Sequence, residues 1–492
     1  MKNVKWTIRR IPLAGMPDHL KGACRRTLSF AIAILVRQYA PFRWSGIPAG
    51  GIRRIVHFTF FILHYSFSFS QTTDTIIDPK IATVLLYPQI GSTAAGNPGS
   101  AAFALNVPLV KLDDQAQLPL QLEFDDLTAN YRNFRAKIIH CNANWVRSVL
   151  NDVEYTYEFN DVPITDYQIS IGTKVLYYHY KYSLPRLKLP GNYVLVVYNE
   201  QNREEILFTR RFRVYANLVS VSAGVRFSTD ISRQFNDQQV DLTIGYRAYQ
   251  SQVISPQDDF KVVIRQNYRD DRMVTDLKPA NVRAFDQVLE YNAIDLRNTF
   301  TGGNEYRFFD TRTVLSRGNY VERVDRRADR TTVYVQTDRP RSGFAYTQFD
   351  DFNGLYVIDH RETGDGPTSA DYIETVFTLL VDELPNAAVY ANGAFNFWSL
   401  NERNRLTYNP VVGGYQGRIW LKQGVYNYNY AVTGLPLPFT RSGIRPDGNE
   451  TLIEGDFSQT ENVYEVFVYN RPPASRADQL IGYYTLSFGQ RR

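Results

Sequence analysis

The chain has 492 residues, of which 44% are hydrophobic, 21% charged and 14% aromatic. This composition is typical of a globular protein and excludes disordered, collagen-like and coiled-coil chains. Two cysteines are too few for a disulfide framework or a cysteine-rich zinc site. At roughly 150 residues per domain, the length predicts about three domains.

The formal charge is unevenly distributed along the chain. Residues 1–70 contain 11 Lys and Arg against one acidic residue, Asp18, so the remainder holds 44 of the 55 basic and 49 of the 50 acidic side chains. The body is therefore mildly acidic, which is not the charge balance of a protein that binds nucleic acid. We expect no nucleic acid among its partners.

The basic excess lies in a segment that has the features of a secretory signal peptide. Arg53–Arg54 precede the apolar run Ile55–Phe67, and the small residues Ser68 and Ser70 lie at positions −3 and −1 of a cleavage site. The run is shorter than the ~20 apolar residues that a membrane span needs. We therefore predict export of a mature chain that begins near residue 71 and has no membrane span.

Residues 1–51 carry a second apolar run, and no Met lies between Met16 and Met273. We interpret this stretch as the result of a misassigned translation start, with a competing signal as the alternative. Cleavage before residue 71 leaves a single cysteine, Cys141. An unpaired thiol in an oxidising compartment is usually buried and inert.

After residue 71 the chain consists of short segments rich in β-branched and aromatic residues, separated by Pro, Gly, Asn or Asp. This spacing is typical of β-sandwiches. We predict an all-β fold, a tandem of three Ig-like or early-set β-sandwich units. Their predicted bounds are 71–215 for an Ig-like domain, 216–370 for a β-rich middle domain and 371–492 for an early-set domain.

Alternation of apolar and polar residues is clearest at the end of the first unit. Phe212 and Val214 fall on one face of the predicted strand, and Arg211 and Arg213 fall on the other. Because successive side chains of a strand point to opposite faces, this pattern predicts a sheet with one solvated side.

Residues suited to catalysis are few. Three histidines follow residue 71, and none has the His or Glu four residues away that a helical metal site requires: His140, His179 and His360. His140 and Cys141 are adjacent, so on a strand they point to opposite faces and cannot act as base and nucleophile. We predict a protein that is not an enzyme and has no catalytic residues, metal or cofactor.

Three pairs of adjacent acids are the candidates for a glycosidase, whose two carboxylates must flank one bond in different environments. They are Asp125–Asp126, Asp258–Asp259 and Asp350–Asp351. None follows the pattern of a calcium-binding loop. We interpret each pair as part of a polar turn.

The segments VYANGAFNFWSL (389–400) and GGYQGRIWLKQGVYNYNYAVTG (413–434) resemble the early-set, glycogen-binding type of β-sandwich module. Sequences of that family carry a Gly-x-Phe-Asn-x-Trp turn and a later Gly-x-Tyr-x-Tyr strand. The resemblance implies that Trp398 is a platform on which a sugar stacks. Trp420 is a further candidate platform.

The chain departs from that family where the family contacts sugar. Asn429 replaces the sugar-contacting lysine, and Pro436 replaces the second tryptophan. Loss of a stacking face and of a charged donor removes most of the affinity of a shallow site. We therefore predict that the fold is retained and that carbohydrate is not a main partner.

A larger resemblance extends over about 400 residues. Several segments are similar, in the same order, to the type IX secretion system plug protein family: KIIHCNANW (137–145), QNYRDDR (266–272), GGNEYRFFD (302–310), TDRPR (337–341) and FNGLYVID (352–359). The resemblance implies a periplasmic protein that closes the periplasmic mouth of an outer-membrane β-barrel translocon. Its partner would be that barrel.

Two functions of different classes follow from these patterns. The first is a non-enzymatic plug of the translocon. The second is a periplasmic or surface carbohydrate-binding protein that acts through residues 371–492.

Overall fold

The computed structural model describes residues 72–89, 107–128, 130–292, 295–436, 444 and 447–489. The predicted signal peptide and the predicted start lie outside these residues. Strands make up 47% of the structure and helices 7%, which confirms the predicted all-β fold. No helix in the described ranges is both long and apolar enough to span a membrane.

The described residues form 28 strands. In chain order they are β1 (Thr75–Ile76), β2 (Ile81–Pro88), β3 (Leu109–Lys111), β4 (Leu120–Asp126), β5 (Phe134–Cys141), β6 (Val162–Ile164), β7 (Asp166–Ile169), β8 (Tyr178–Ser183), β9 (Gly191–Asn199), β10 (Asn202–Tyr215), β11 (Ser220–Phe227), β12 (Asp237–Gly245), β13 (Phe260–Gln266), β14 (Met273–Leu277), β15 (Asn281–Arg283), β16 (Val288–Tyr291), β17 (Thr299–Thr301), β18 (Arg307–Asp310), β19 (Val321–Arg326), β20 (Thr331–Val335), β21 (Tyr356–Ile358), β22 (Tyr372–Leu379), β23 (Ala388–Asn392), β24 (Arg405–Asn409), β25 (Gly414–Lys422), β26 (Gly424–Thr433), β27 (Asn462–Asn470) and β28 (Gln479–Phe488).

The helices are short. The α-helices are α1 (Asp152–Tyr155), α2 (Pro256–Asp259), α3 (Gly366–Ser369) and α4 (Thr451–Glu454), and the 3₁₀ turns are Leu112–Asp114, Arg247–Gln252 and Ala394–Asn396.

The first sandwich contains β1 to β10, which pair only with one another in the described part of the chain. One sheet has the order β6-β5-β9-β10-β1, with β3 parallel to β10, and the other has the order β2-β4-β8-β7. Apolar side chains of both sheets fill the space between them. Phe124 lies at the centre and stacks on Tyr180 with ring centroids 5.0 Å apart. Each large side chain buried in such a core contributes about 1.5–3 kcal/mol.

The second sandwich is built from two separated parts of the chain. One sheet has the order β11-β12-β16-β15, with β17 beside β12, and the other has the order β14-β13-β27-β28. The pairs Val262–Val468 and Ile264–Val466 join β13 to β27 across about 200 residues of sequence. Residues from both sheets form one apolar core.

The intervening chain forms the third sandwich. Its nine strands have the order β18-β26-β23-β24-β25-β22-β20-β19, with β21 beside β26, and they surround a core that includes Phe309, Phe377 and Tyr428. The predicted boundary at residue 370 therefore does not coincide with the edge of a sheet. β27 and β28, which follow it, complete the second sandwich, and β18 to β21, which precede it, complete the third.

The segment that leaves the second sandwich, near Gly303, and the segment that returns to it, near Phe457, lie next to each other. Phe457 N donates to the carbonyl oxygen of Gly303 at 2.8 Å, so the two crossing segments lie side by side. A Cβ atom on Gly302 would lie 2.1 Å from the carbonyl oxygen of Phe457. Only glycine permits this approach, which explains its place in the GGNEYRFFD motif.

This topology predicts how fragments behave. A fragment of residues 371–492 lacks β13, β18, β20 and β21, so it exposes several unpaired sheet edges. We expect it to show no cooperative thermal transition by near-UV circular dichroism. A fragment of residues 217–489 retains every strand of the second and third sandwiches and should unfold cooperatively. A cooperative transition in the shorter fragment alone would contradict this topology.

Candidate functional site

Buried ion pairs hold the three sandwiches against one another. One group surrounds helix α4, which lies between the second and third sandwiches, with Glu450 before its first residue and Glu454 at its last. Three of the sequence motifs supply arginines to these two carboxylates. The arginines are Arg269 and Arg272 of QNYRDDR, Arg307 of GGNEYRFFD, and Arg341 of TDRPR.

Glu450 accepts hydrogen bonds from two guanidinium groups. Its Oε1 atom lies 2.6 Å from Arg269 Nη2, and its Oε2 atom lies 2.6 Å from Arg272 Nη2. Arg269 is only 1% exposed, and its guanidinium stacks 3.7 Å from the centroid of the Trp398 ring. Burial alone would raise the pKa of Glu450, but Arg269 and Arg272 lower it to about 2. The carboxylate is therefore ionised at neutral pH.

Glu454 extends this arrangement into the third sandwich. Arg307 Nε lies 3.1 Å from both of its carboxylate oxygens, and Arg341 Nη2 lies 2.7 Å from Oε2. Arg307 also donates to Asp338 at 2.6 Å, and Asp338 accepts from the hydroxyl of Tyr430. Buried ion pairs thus connect the segments around residues 269, 307, 341 and 454, which are far apart in sequence.

A second group joins the first sandwich to the second, and we call it the Asp270 junction. Asp270 forms ion pairs with Arg213 at 3.0 Å, with Arg211 at 2.9 Å and with Arg265 at 2.8 Å. Arg265 also pairs with Glu465 at 2.8 Å. Burial would raise the pKa of Asp270, but the three guanidinium groups lower it well below its usual range. Arg211 and Arg213 come from β10, and Arg265 comes from β13.

The prediction that the Arg211 and Arg213 face of β10 is solvated is wrong at this junction. Arg213 is 2% exposed and Arg211 is mostly buried, because this face of the sheet lies against the second sandwich. Aromatic rings complete the contact: the guanidinium of Arg213 lies 4.6 Å from the ring centroids of both Trp145 and Phe467. Polar alternation showed correctly which residues share a face, but it could not show that protein covers that face.

A third group joins the first sandwich to the third, and we call it the Asp125 cluster. Asp125 Oδ1 lies 2.7 Å from His179 Nδ1, and Oδ2 lies 2.7 Å from both Lys422 Nζ and the hydroxyl of Tyr372. All four residues are buried: none is more than 3% exposed, and the side chain of Lys422 is 1% exposed. The ring of Tyr177 covers the ammonium group at 4.2 Å.

In the Asp125 cluster, each charged group shifts the pKa of its oppositely charged neighbours towards the charged form. Burial would raise the pKa of Asp125, but Lys422 and His179 lower it. Burial would lower the pKa of His179, but Asp125 and Glu123 raise it. The pKa of Lys422 is lowered by burial, which Asp125 opposes. The cluster therefore acts as a charged contact between sandwiches whose members compensate one another's burial.

The interpretation of Asp125–Asp126 as a polar turn is wrong. Both residues lie in β4 and are 0% exposed, and Asp126 pairs with Arg132 at 2.7 Å. Asp258 and Asp259 are the last two residues of the four-residue helix α2, and Asp259 accepts from the amides of residues 254 and 255. Asp351 accepts from the amides of residues 306 and 353.

The two tryptophans considered as sugar platforms have different surroundings. Trp398 is 9% exposed and lies between Arg269 and Tyr306, whose ring centroid is 5.6 Å away. Trp420 is 49% exposed on β25 and lines a cavity of 820 Å³ together with Tyr372. Trp398 lines a different cavity, one that also includes Arg210 and Asp271. Sugar binding stays a prediction.

Of the remaining candidate residues, two are buried and His360 is partly exposed. His140 and Cys141 are 1% and 0% exposed at the end of β5, and burial raises the pKa of the Cys141 thiol to about 11. His360 hydrogen-bonds Thr363 in a loop. In the part of the chain that the structure describes, no group of three or more His, Cys, Asp and Glu is arranged to hold a metal ion.

Sequence reasoning did not single out the residues at the centre of these junctions: Asp270, Glu450, Glu454 and Lys422. One signal was available, since the motifs QNYRDDR, GGNEYRFFD and TDRPR each combine arginine with an acidic residue. Their partners on α4 lie more than 100 residues further along the chain, so no local pattern connects them.

The fold and the site together define a class of protein: a multi-sandwich β protein whose units are held in fixed positions by buried ion pairs. Residues 81–216 match the family model described as the type 9 secretion system plug protein first domain. A crystal structure of a hypothetical protein from Parabacteroides merdae ATCC 43184 is also similar. It has 31% sequence identity and a TM-score of 0.75, and the match covers 85% of this chain and 100% of that chain.

No curated protein matches the chain. The chain belongs to the type 9 secretion system plug protein family. Its role therefore lies in type 9 secretion.

The Glu450 contacts predict a pH-dependent loss of stability. The folded-state pKa of Glu450 is about 2, below the unfolded value near 4.3, so its contribution is complete above pH 4.3 and falls as pH drops towards 2. We expect Glu450→Gln to cost about 3 kcal/mol at pH 7, because Arg269 and Arg272 lose their carboxylate. Urea unfolding at several pH values should show the difference from wild type shrinking below pH 4.3. A difference independent of pH would contradict the ion-pair origin.

The Asp125 cluster predicts a non-additive mutant cycle. Asp125→Asn or Lys422→Met alone should cost about 3–5 kcal/mol, since each leaves a charge buried without its partner. The double variant should cost clearly less than the sum of the two. Chemical denaturation measures all four proteins.

The matched control is the exposed pair Lys278–Asp258, whose side chains are 64% and 61% exposed. The corresponding changes, Lys278→Met and Asp258→Asn, should leave the unfolding midpoint almost unchanged. Additive effects at Asp125 and Lys422 would show that the cluster is not coupled.

Proposed function

We propose that the protein closes the periplasmic opening of the outer-membrane β-barrel translocon of type 9 secretion when no cargo passes. In this proposal it is exported to the periplasm by the signal segment before residue 71, associates with the translocon and acts without catalysis. Two features of the family match support this proposal. The family belongs to the type 9 secretion system, and the matching domain is described as a plug protein domain.

The observation that carries the proposal is the set of buried junctions. A stopper in a wide opening must keep its shape, and sandwiches joined only by flexible linkers move relative to one another by default. Here Asp270 and the Asp125 cluster fix the first sandwich on the second and third, and α4 joins the second to the third. Such a body is suited to blocking a pore by its bulk.

The buried charges also explain why the body is stiff. A guanidinium–carboxylate pair has a narrow geometry of favourable contact, and displacement by a few ångströms leaves both charges buried without a partner. Apolar surfaces tolerate sliding far better, because the hydrophobic effect has no direction. The junctions therefore resist relative motion of the sandwiches more strongly than apolar contacts of equal area.

Deletion of the protein tests the proposal in the host bacterium. We expect the outer membrane to become permeable to large antibiotics that it normally excludes, because the barrel is left open, and we expect the wild-type protein to restore the barrier. Affinity purification of the tagged mature chain from solubilised outer membrane should recover a very large β-barrel protein. Unchanged permeability together with no recovered barrel would reject the proposal.

A further inference from the structure

One segment of the first sandwich exposes large apolar side chains that the fold leaves in water. The segment contains helix α1 and the residues on each side of it. Four of its side chains are mostly exposed, and we call them the Tyr157 patch: Val149 (65%), Val153 (74%), Tyr157 (62%) and Phe159 (79%). Several large apolar side chains exposed together in one short segment mark an interaction site more often than a lone exposed side chain does.

The segment that carries the patch is firmly attached to the core. Tyr155, on the opposite side of α1, is 2% exposed, and its hydroxyl donates to the carbonyl oxygen of Ile138 at 3.1 Å. Asn151 and Glu154 form a capping box at the helix start. Lys188 N donates to the carbonyl oxygen of Tyr155 at 2.9 Å. The exposed side chains are thus presented by an ordered backbone, which reduces the entropy lost when a partner binds.

Cations surround the patch. The Tyr157 ring lies beside two of them, with Arg186 Cζ at 5.6 Å and Lys188 Nζ at 5.3 Å from its centroid. Arg147 is exposed two residues before Val149. None of these three cations pairs with a carboxylate of the described residues.

The acidic residues of the same segment do not neutralise this charge. Asp152 is paired with Lys137 at 3.2 Å, and Glu154 is paired with Arg476 at 2.5 Å. Of the acidic residues in this segment, only Glu158 lacks a cationic partner among the described residues. The surface around the patch therefore keeps a positive excess of about two charges, counted as three cations against one anion.

We propose that the Tyr157 patch is the face through which the protein contacts the periplasmic rim of its translocon, and that the partner surface presents apolar side chains bordered by carboxylates. This inference rests on the proposed function and adds the contact residues and the chemistry of the partner. Aromatic and arginine side chains dominate the energy of protein interfaces because they bury a large area with few rotatable bonds or offer several donors. Charge complementarity fixes the partner as acidic.

Two other occupants fit the patch less well. A second copy of this chain would place the positive excess of one patch against that of the other, which is repulsive. An anionic lipid surface would have to accept the carboxylate of Glu158, which has no cationic partner among the described residues, next to the inserted side chains, and this costs desolvation and repulsion. An acidic protein surface can place its carboxylates against the three cations alone.

The experiment compares Phe159→Asp with Phe285→Asp in the full mature chain. Phe285 is 96% exposed on the turn between β15 and β16, so it is a control of the same residue type and the same change. We expect Phe159→Asp to reduce recovery of the barrel from solubilised outer membrane at least tenfold and Phe285→Asp to leave it unchanged. Both variants should keep the thermal midpoint of the wild type, since neither side chain is buried.

A cross-linking measurement gives the same answer without a change of charge. Phe159→p-benzoylphenylalanine and Phe285→p-benzoylphenylalanine are irradiated with solubilised outer membrane. An adduct of barrel size from position 159 alone supports the proposal.

The outcomes separate the two proposals. If wild type and both Asp variants recover the barrel equally, the Tyr157 patch is not the contact face, while the plug function stands. If wild type recovers no barrel, the inference about the patch fails, and the plug function fails with it when deletion also leaves permeability unchanged. Loss in Phe159→Asp of binding to phosphatidylglycerol vesicles, or of a dimer seen by sedimentation, with barrel recovery intact, overturns the inference in favour of lipid or self-association.

Discussion

The structure depends on carboxylates that are buried between sandwiches and shared among several guanidinium groups. Asp270 is the clearest case, with three arginines from two sandwiches around one carboxylate. Removal of a charge from water costs several kcal/mol, and only close pairing offsets that cost. The contact is therefore favourable in one arrangement of the sandwiches and unfavourable in nearby ones. This dependence on geometry, rather than net stabilisation, is the main physical contribution of the junctions.

Polar junctions also suit the way such a chain assembles. Each sandwich has its own apolar core, and the surfaces that meet later carry Arg, Lys, Asp and Glu. Before docking these surfaces are hydrated and do not associate with wrong partners, whereas apolar surfaces of the same size would. Aromatic rings such as Phe467 and Trp398 cover guanidinium groups of the neighbouring sandwich. The ring faces add attraction for the cations without bringing in new charge.

Local sequence patterns predicted the strands well and the contacts between sandwiches poorly. Alternation of apolar residues is a property of a single strand. The sequence alone therefore predicted the all-β fold and showed which residues of β10 share a face. Whether water or protein covers the face with Arg211 and Arg213 depends on β13, which is distant in sequence. The pairing of β13 with β27 also depends on residues that are distant in sequence. Because of this pairing, the segment that forms the third sandwich is inserted between strands of the second sandwich along the chain. Asp125 was assigned to a turn because acidic pairs are usually hydrated, and the Lys422 that makes its burial possible comes about 300 residues later.

Trp398 illustrates how a residue of a recognisable turn motif can contribute to a contact between sandwiches. The Gly-x-Phe-Asn-x-Trp turn is present, and the guanidinium group of Arg269, from the second sandwich, lies 3.7 Å from the centroid of the Trp398 ring. The same stacking energy that holds a sugar in a binding module here holds a guanidinium whose other side pairs with Glu450. A ring used in this way connects a turn of the third sandwich to the second sandwich. The ring that the sequence predicts as a ligand platform therefore also belongs to the junction between the second and third sandwiches, and a junction of fixed geometry is what the proposed plug function requires.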